Sequence, residues 1–228
     1  MSAIKAYFFD LDGTLTDARE GLYFCFRAAL TALSLPDLPD ARLAHFLGPP
    51  LPEMFRVLKP EITDDEIAAG MAAFRAAYEA GGIKRNALYP GVSEMLQAVR
   101  DKGARSWIVT SKPQHYAVQV VAALGIDGFF AGITGAGLDE RDTKAEMLAA
   151  SLQRAEVSAT EALMVGDRFY DVAGALENDV TPIGALWGYG SHEELHSAGC
   201  RLFAETAGEF QKRFVEGEEF PLSHAPVC

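Results

Sequence analysis

Residues 4–17 read IKAYFFDLDGTLTD, an apolar run that ends abruptly in a pair of aspartates. The apolar residues 4–9 predict a short buried strand. Asp10 and Asp12 follow it, and because residues two apart point the same way in an extended chain, both carboxylates can face one cleft. Gly13 permits the sharp turn that leaves the strand. Taken alone, the pair is explained equally well by an ordinary Asp-Gly turn, in which the aspartates bond their own backbone.

The segment from residue 17 to about residue 82 contains no convincing strand. Apolar residues recur there at helical spacing, first at Leu22, Phe26, Ala29 and Leu33, and later at Ile67, Met71, Phe74 and Tyr78. Two residue pairs have the spacing of a capping box at a helix start: Asp17 with Glu20, and Thr63 with Glu66. The pair Gly81-Gly82 is expected to stop the last helix. The segment is therefore predicted to be all-helical.

From residue 87 onward, short apolar runs alternate with helical patterns. Strands are expected at 106–109, 129–133, 162–165 and 181–186, with helices between them. This alternation predicts a parallel sheet with helices on both faces, to which the strand at 4–9 also belongs. The predicted fold class is α/β. A Rossmann-like core, residues 1–16 and 87–228, is interrupted by an all-helical insertion, residues 17–86.

The composition of the 228 residues excludes several classes of protein. Twenty basic against 32 acidic residues give a formal net charge of −12, which disfavours binding to nucleic acid or to an anionic membrane. No apolar run is long enough to span a membrane, and the N-terminus does not read as a signal peptide. The three cysteines form no CxxC pair, so we expect reduced thiols and a cytoplasmic protein.

Two further polar segments follow predicted strands, and ligands bind at the carboxyl ends of strands in parallel sheets. The segment 166–171, GDRFYD, places Asp167 and Asp171 at the start of a helix, where acidic capping alone would explain them. However, carboxylates that converge with Asp10 and Asp12 would repel one another without a cation. Oxygen ligands of this kind select a hard ion, so we expect Mg²⁺.

The second polar segment, TSKP, adds Thr110 and Ser111, which offer a hydroxyl and backbone N–H donors. A helix cap before Pro113 is the alternative explanation. Lys144 lies in a turn or a first helical turn, where a cation is less favoured, although surface lysines are common.

The order and spacing of these segments resemble the haloacid dehalogenase-like hydrolase superfamily. Its four motifs match Asp10-Leu11-Asp12-Gly13-Thr14, Thr110-Ser111, Lys144 and Gly166-Asp167-x-x-x-Asp171. The resemblance covers essentially the whole chain, and the helical insertion looks like the cap of that superfamily. The resemblance implies phosphoryl or halide chemistry in a cleft between cap and core.

Carried over by position, the resemblance gives each motif residue a role. Asp10 would be the nucleophile and Asp12 the general acid and base. Mg²⁺ would be held by the side chain of Asp10, the backbone carbonyl of Asp12 and Asp167, with support from Asp171. The phosphoryl oxygens would be held by Thr110, the Ser111 N–H and Lys144.

An acid at Asp12 favours phosphatases over dehalogenases, because halide leaves without a proton. Four segments resemble the phosphoglycolate phosphatase-like group: LYPGV at 88–92, TSKP, GDRFYDVAGALEN and WGYGS at 187–191. The resemblance implies a phosphatase acting on a small phosphorylated metabolite, as a monomer or homodimer. Alternatives are a 5′-nucleotidase, a pyrophosphatase, a β-phosphoglucomutase-like phosphomutase, or a binding protein without catalysis. The competent residues at every catalytic position count against the last of these.

Substrate contacts would come from the insertion. Arg56 or Arg75 could pair with a substrate carboxylate, and the loop 48–53, Arg19, Glu20 and Lys84 are further candidates. A solvated arginine on a helix face is the simpler explanation for either arginine alone. Phe46, Phe55 and Phe74 could stack on a nucleobase, although apolar residues at helical spacing more often form a core. The sequence leaves the substrate open.

Overall fold

The computed structural model describes residues 3–48, 51–137 and 142–217. In chain order the strands are β1 (Ala6–Phe9), β2 (Thr16–Asp17), β3 (Ala87–Leu88), β4 (Arg105–Pro113), β5 (Phe130–Ala136), β6 (Ala162–Gly166), β7 (Thr181–Ala185) and β8 (Leu202–Ala204). Six of them form one sheet in the order β5-β4-β1-β6-β7-β8. Every pairing in this sheet is parallel, so the predicted α/β class is confirmed.

Helices cover both faces of this sheet. They are α5 (Val92–Asp101), α6 (Gln114–Ala123), α7 (Lys144–Ala155), α8 (Phe169–Glu177), α9 (His192–Ser197) and α10 (Ala207–Phe210), preceded in the chain by four helices of the insertion. Alternate residues of β1 face opposite sides. Tyr7 and Phe9 pack with α5 and α6, whereas Ala6 and Phe8 pack with α7. An apolar run without alternation is what a strand buried on both faces requires.

The insertion has an apolar core of its own. Its helices are α1 (Arg19–Ala32), α2 (Asp40–Leu43), α3 (Leu51–Leu58) and α4 (Asp64–Ala77), and they pack around a buried cluster that includes Phe26, Leu30, Met54, Phe55 and Ile67. Phe55 therefore belongs to this core. Its apolar spacing is explained by helix packing rather than by stacking on a nucleobase.

The chain passes between the sheet and the insertion through two adjacent segments. β2 leaves the sheet domain and β3 returns to it, and the two pair antiparallel, Thr16 with Leu88 and Asp17 with Ala87. Both connections therefore lie side by side, next to the residues that follow β1.

Two of the predicted helix-end signals differ from the structure, one is confirmed, and a further difference concerns β4. Asp17 forms no capping box with Glu20; α1 begins at Arg19 without a side-chain cap, because the Asp17 carboxylate instead accepts from the Arg19 backbone and guanidinium. The pair Gly81-Gly82 does not stop the chain from coiling, since a π-helical turn, Tyr78–Gly82, follows α4 and leads into a 3-10 turn. The Thr63–Glu66 capping box is confirmed.

The third difference concerns β4, which extends to Pro113 and so includes Thr110 and Ser111 as strand residues. The N-cap of α6 is Pro113 and has no side-chain cap bond, so the helix-cap explanation of Thr110 and Ser111 is wrong. Part of the loop 48–53 is helical from Leu51 onward, while its residues 49 and 50 lie outside the described ranges. No helix in the described part of the chain is long and apolar enough to cross a membrane.

Candidate active site

Three strand ends bring polar side chains to one edge of the sheet. Asp10 directly follows β1, Thr110 lies near the end of β4, and Asp167 directly follows β6. β1 lies between β4 and β6, and all three side chains are buried. Residues that are far apart in the sequence therefore meet at the carboxyl ends of the strands, where parallel sheets bind ligands.

Asp10, Asp167 and Asp171 form a compact cluster of carboxylates, in which one oxygen of each lies within 4.8 Å of the others. Asp171 lies in the first turn of α8 against Gly166, where any side chain would collide with its carboxylate. Asp171 Oδ1 is buried and lies 2.8 Å from Lys144 Nζ, and among the described residues it has no aligned hydrogen bond. An oxygen-only set with an unsatisfied buried oxygen fits a hard divalent cation such as Mg²⁺.

Burial raises the pKa of two of these carboxyls. Burial, and then the charges of Asp10 and Asp171, raise the pKa of Asp167 to about 8. Burial also raises the pKa of Asp171 to about 6, although the ammonium of Lys144 opposes this shift. Desolvation and the like charges of its neighbours both disfavour the anion of Asp167, and a bound cation would offset this effect.

Lys144 neutralises part of this cluster. Its ammonium donates to Asp10 Oδ1 at 2.9 Å and to the backbone carbonyl of Val109 at 3.1 Å, and it pairs with Asp171 Oδ1. Two of these contacts are hydrogen bonds, and the third is an ion pair. Burial opposes the charged form, but the carboxylates more than offset it and raise the pKa of Lys144. A capping box of Thr143 and Glu146 fixes the start of α7 and so places this lysine.

Asp167 is held by two hydrogen bonds and packs against two positions where only glycine fits. Its two oxygens accept from Thr14 Oγ1 at 3.0 Å and from the backbone N–H of Tyr189 at 2.8 Å. Gly13 has a φ of +91°, and a Cβ there would collide with the Asp167 carboxylate. A Cβ at Gly188 would collide with the same side chain. The WGYGS segment therefore packs directly on the acidic cluster.

Asp12 faces a different set of partners. Its Oδ1 accepts from Thr16 Oγ1 at 3.2 Å, and its Oδ2 lies 2.7 Å from Lys112 Nζ. Among the described residues, the group that could hold a metal consists of Asp10, Asp167 and Asp171 and does not include the side chain of Asp12. One carboxylate of the DxD pair thus lies in the cluster, and the other is paired outside it.

The remaining candidates are more exposed. Ser111 is exposed at the end of β4, so its side chain is not packed in place. Arg56 Nη2 lies 3.7 Å from Asp64 Oδ1 within the insertion, and about half of its side chain is exposed. Arg75 is half-buried on α4, close enough to Tyr116 for its charge to act on that hydroxyl.

The structure adds three residues that sequence reasoning did not single out. Lys112 pairs with Asp12 and donates to the hydroxyl of Tyr78 in the insertion. Arg168 follows Asp167, donates to the carbonyl of Leu47 in the insertion and bonds Glu194 at 2.8 Å. The Tyr189 hydroxyl accepts from the Ala18 N–H at 2.9 Å, at the start of the insertion. All three lie inside motifs quoted from the sequence, but their contacts with the insertion have no sequence signal.

Comparisons with known proteins agree with this geometry. The family model described as haloacid dehalogenase-like hydrolase matches residues 7–185. A 5′-nucleotidase of Pseudomonas aeruginosa is 36% identical over 192 residues, covering 83% of this chain and 86% of the relative. A phosphoglycolate phosphatase of Vibrio vulnificus is 27% identical over 214 residues, covering 90% and 94%. The crystal structure of a predicted phosphatase from Clostridium acetobutylicum superposes with a TM-score of 0.86 at 30% identity, covering 94% of this chain and all of that one.

Proposed function

Because the chain belongs to the haloacid dehalogenase-like hydrolases and is a phosphoric monoester hydrolase, we propose that it is a Mg²⁺-dependent phosphatase. It would act on a small organic phosphate monoester through an aspartyl-phosphate on Asp10. One observation carries this proposal: Asp10 directly follows β1 in the middle of the sheet, with one oxygen held by Lys144 and within 4.8 Å of two further carboxylates.

In the first step the second carboxylate oxygen of Asp10, Oδ2, attacks phosphorus. The new bond joins Asp10 Oδ2 to phosphorus, the ester P–O bond breaks, and the leaving oxygen takes a proton from Asp12. In the second step Asp12 removes a proton from water, the water oxygen bonds phosphorus, and the Asp10–phosphorus bond breaks. Two easier steps replace one difficult step. Asp12 suits proton transfer because it lies beside the cluster rather than within it.

The cation would be held by the acidic cluster. Asp10 and Asp167 would bind it together with the backbone carbonyl of Asp12, and Asp171 would support them from α8. When bound, Mg²⁺ would neutralise the carboxylates and the oxygens of the phosphoryl group. Lys144 supplies a fixed positive charge at the same place, since its ammonium is buried between the carboxylates of Asp10 and Asp171. Thr110 and the Ser111 N–H would orient the remaining phosphoryl oxygens.

The substrate is either phosphoglycolate-like or a nucleoside monophosphate. The sequence resemblance favours the first, and the 36% identical 5′-nucleotidase favours the second. Initial rates with phosphoglycolate, nucleoside monophosphates, sugar phosphates and pyrophosphate, with and without Mg²⁺, test the proposal. Release of phosphate from none of them would contradict it. Formation of an isomeric sugar phosphate would instead identify a phosphomutase.

We expect Asp167→Ala to act through the cation. The substitution removes one of few anionic oxygens from the cluster, and it leaves Thr14 Oγ1 and the Tyr189 N–H without their acceptor. The Mg²⁺ concentration for half-maximal activity should rise more than about tenfold, with partial recovery at high Mg²⁺. A Mg²⁺ titration of both proteins checks this. An unchanged Mg²⁺ dependence would remove Asp167 from the ligand set.

Residues 17–86 are proposed to act as a cap that selects the ester. We expect Arg56→Ala and Arg75→Ala to change the ranking of kcat/KM among esters while leaving a small aryl phosphate nearly unaffected. Arg56 is suited to this test because an exposed pair such as Arg56–Asp64 contributes little to stability. Arg42→Ala, an exposed insertion arginine on α2, is the control. If neither variant changes the ranking of the esters, the insertion arginines do not determine specificity, and the loop 187–191 is the next candidate. A Pro50→Ala variant in the loop 48–53 belongs to the same test, although residue 50 itself lies outside the described residues.

A further inference from the structure

Lys112 is a second buried lysine beside the site. Only 6% of its side chain is exposed. Its ammonium lies 2.7 Å from Asp12 Oδ2 and donates to the Tyr78 hydroxyl at 2.7 Å. It also lies 4.7 Å from the centre of the Tyr78 ring. Removing a charge from water is costly unless partners compensate, so these two contacts account for its placement.

Lys112 and Thr16 together fix the orientation of Asp12. Lys112 holds Oδ2 from β4, and Thr16 holds Oδ1 from β2. Each oxygen of Asp12 therefore has its own partner, one from β4 and one from β2. A group that must give a proton to a leaving oxygen and later take one from water needs such a fixed position.

Tyr78 in turn fixes Lys112 from the insertion. It begins the π-helical turn that ends α4, and it is buried. Its ring stacks on Phe74, with centroids 6.3 Å apart, and meets Tyr116 of α6 edge-on at 5.0 Å. Lys112 is therefore bonded at once to the Asp12 carboxylate and to a residue that joins insertion and core.

The two buried lysines serve different carboxylates. Lys144 contacts Asp10 and Asp171, whereas the contacts of Lys112 are Asp12 and Tyr78. Loss of Lys144 would affect the phosphoryl group that every substrate shares. Loss of Lys112 would affect only steps in which Asp12 moves a proton.

We propose that Lys112 is a positioning residue for Asp12, that it aligns this carboxylate for proton transfer to the leaving group, and that Tyr78 anchors it from the insertion. This inference rests on the proposed function, because it requires Asp12 to act as the acid. The leaving group provides the test, since a poor leaving group needs a proton and an activated one does not.

The experiment compares kcat/KM for phenyl phosphate and dinitrophenyl phosphate. The value of kcat/KM reports only the steps up to transfer of the phosphoryl group to Asp10, so the later hydrolysis step does not affect it. Lys112→Met keeps much of the side-chain length without the charge. General acids contribute about 10²–10⁴-fold, and we expect a loss of about 30-fold or more for phenyl phosphate and less than about 3-fold for dinitrophenyl phosphate.

Matched variants separate positioning from a merely structural role. Lys112→Arg should recover part of the rate with phenyl phosphate, and Tyr78→Phe should show the same pattern more weakly. Lys112→Met combined with Asp12→Asn should lose no more than Asp12→Asn alone, because residues acting as one unit are not additive. The control is Lys102→Met, at the exposed C-cap of α5, and it should match wild type. Lys112→Gln and Tyr78→Phe provide the test if Lys112→Met does not fold.

The two esters also define the results that would contradict the inference. Equal losses for both esters, or no loss for either, would overturn the positioning role. If the loss in kcat/KM caused by Asp12→Asn depends on the leaving group and the loss caused by Lys112→Met does not, this inference fails while the proposed function stands. If Asp12→Asn itself shows no leaving-group dependence, the acid role in the proposed function is wrong, and the inference is overturned with it.

Discussion

Asp10→Asn is expected to abolish turnover and to leave the fold intact. An amide is not a nucleophile toward phosphorus, and it is a poor ligand for a hard cation, so both proposed roles of Asp10 disappear together. The amide oxygen can still accept from Lys144, whose Nζ lies 2.9 Å from Asp10 Oδ1. The buried lysine therefore keeps a partner, and stability should change little.

Phosphate release and thermal unfolding of the purified variant check this expectation. Asp65→Asn, an exposed aspartate in the first turn of α4, is the control and should retain wild-type activity. Turnover by Asp10→Asn above a small fraction of the wild-type rate would rule out an aspartyl-phosphate on Asp10.

Asp12→Asn should give the second largest loss, about 10²–10⁴-fold in kcat. The amide cannot give or take the proton that each step requires. The Mg²⁺ requirement should stay close to that of wild type, because the side chain of Asp12 is bonded to Thr16 and Lys112 and its backbone carbonyl is unchanged.

A Mg²⁺ titration of this variant is the decisive comparison with Asp167→Ala. The first variant should lose rate without a change in Mg²⁺ dependence, and the second should lose Mg²⁺ affinity. If Asp12→Asn required far more Mg²⁺, the Asp12 side chain would be a ligand, and the assigned roles of the two residues would be wrong.

Much of the fold could be predicted because its signals are local. β1, which lies within the apolar run at 4–9, is buried on both faces, and such runs alternate with helical spacing from residue 87 onward. Parallel topology then places the residues after each strand at one edge. This geometry brings Asp10, Asp167 and Asp171 together, as the motif spacing suggested.

The remaining features depend on tertiary contacts. Lys112 meets Tyr78 across 34 positions, and Arg168 meets Leu47 across 121 positions, so no periodicity connects them. At the start of α1 a local signal failed, because Arg19 competes for the Asp17 carboxylate that the capping box would use. A pattern read along the chain cannot weigh such competing partners.

Whether Asp10 carries the phosphoryl group is tested most directly by trapping the intermediate. Asp12→Asn is mixed with dinitrophenyl phosphate and Mg²⁺, quenched in acid and digested, and the peptides are analysed by mass spectrometry. The activated ester needs no proton to form the aspartyl-phosphate, whereas its hydrolysis needs Asp12. We therefore predict a burst of one dinitrophenolate per enzyme and one phosphoryl group on Asp10. A burst without phosphoryl label on Asp10, or a label on another residue, would contradict the mechanism.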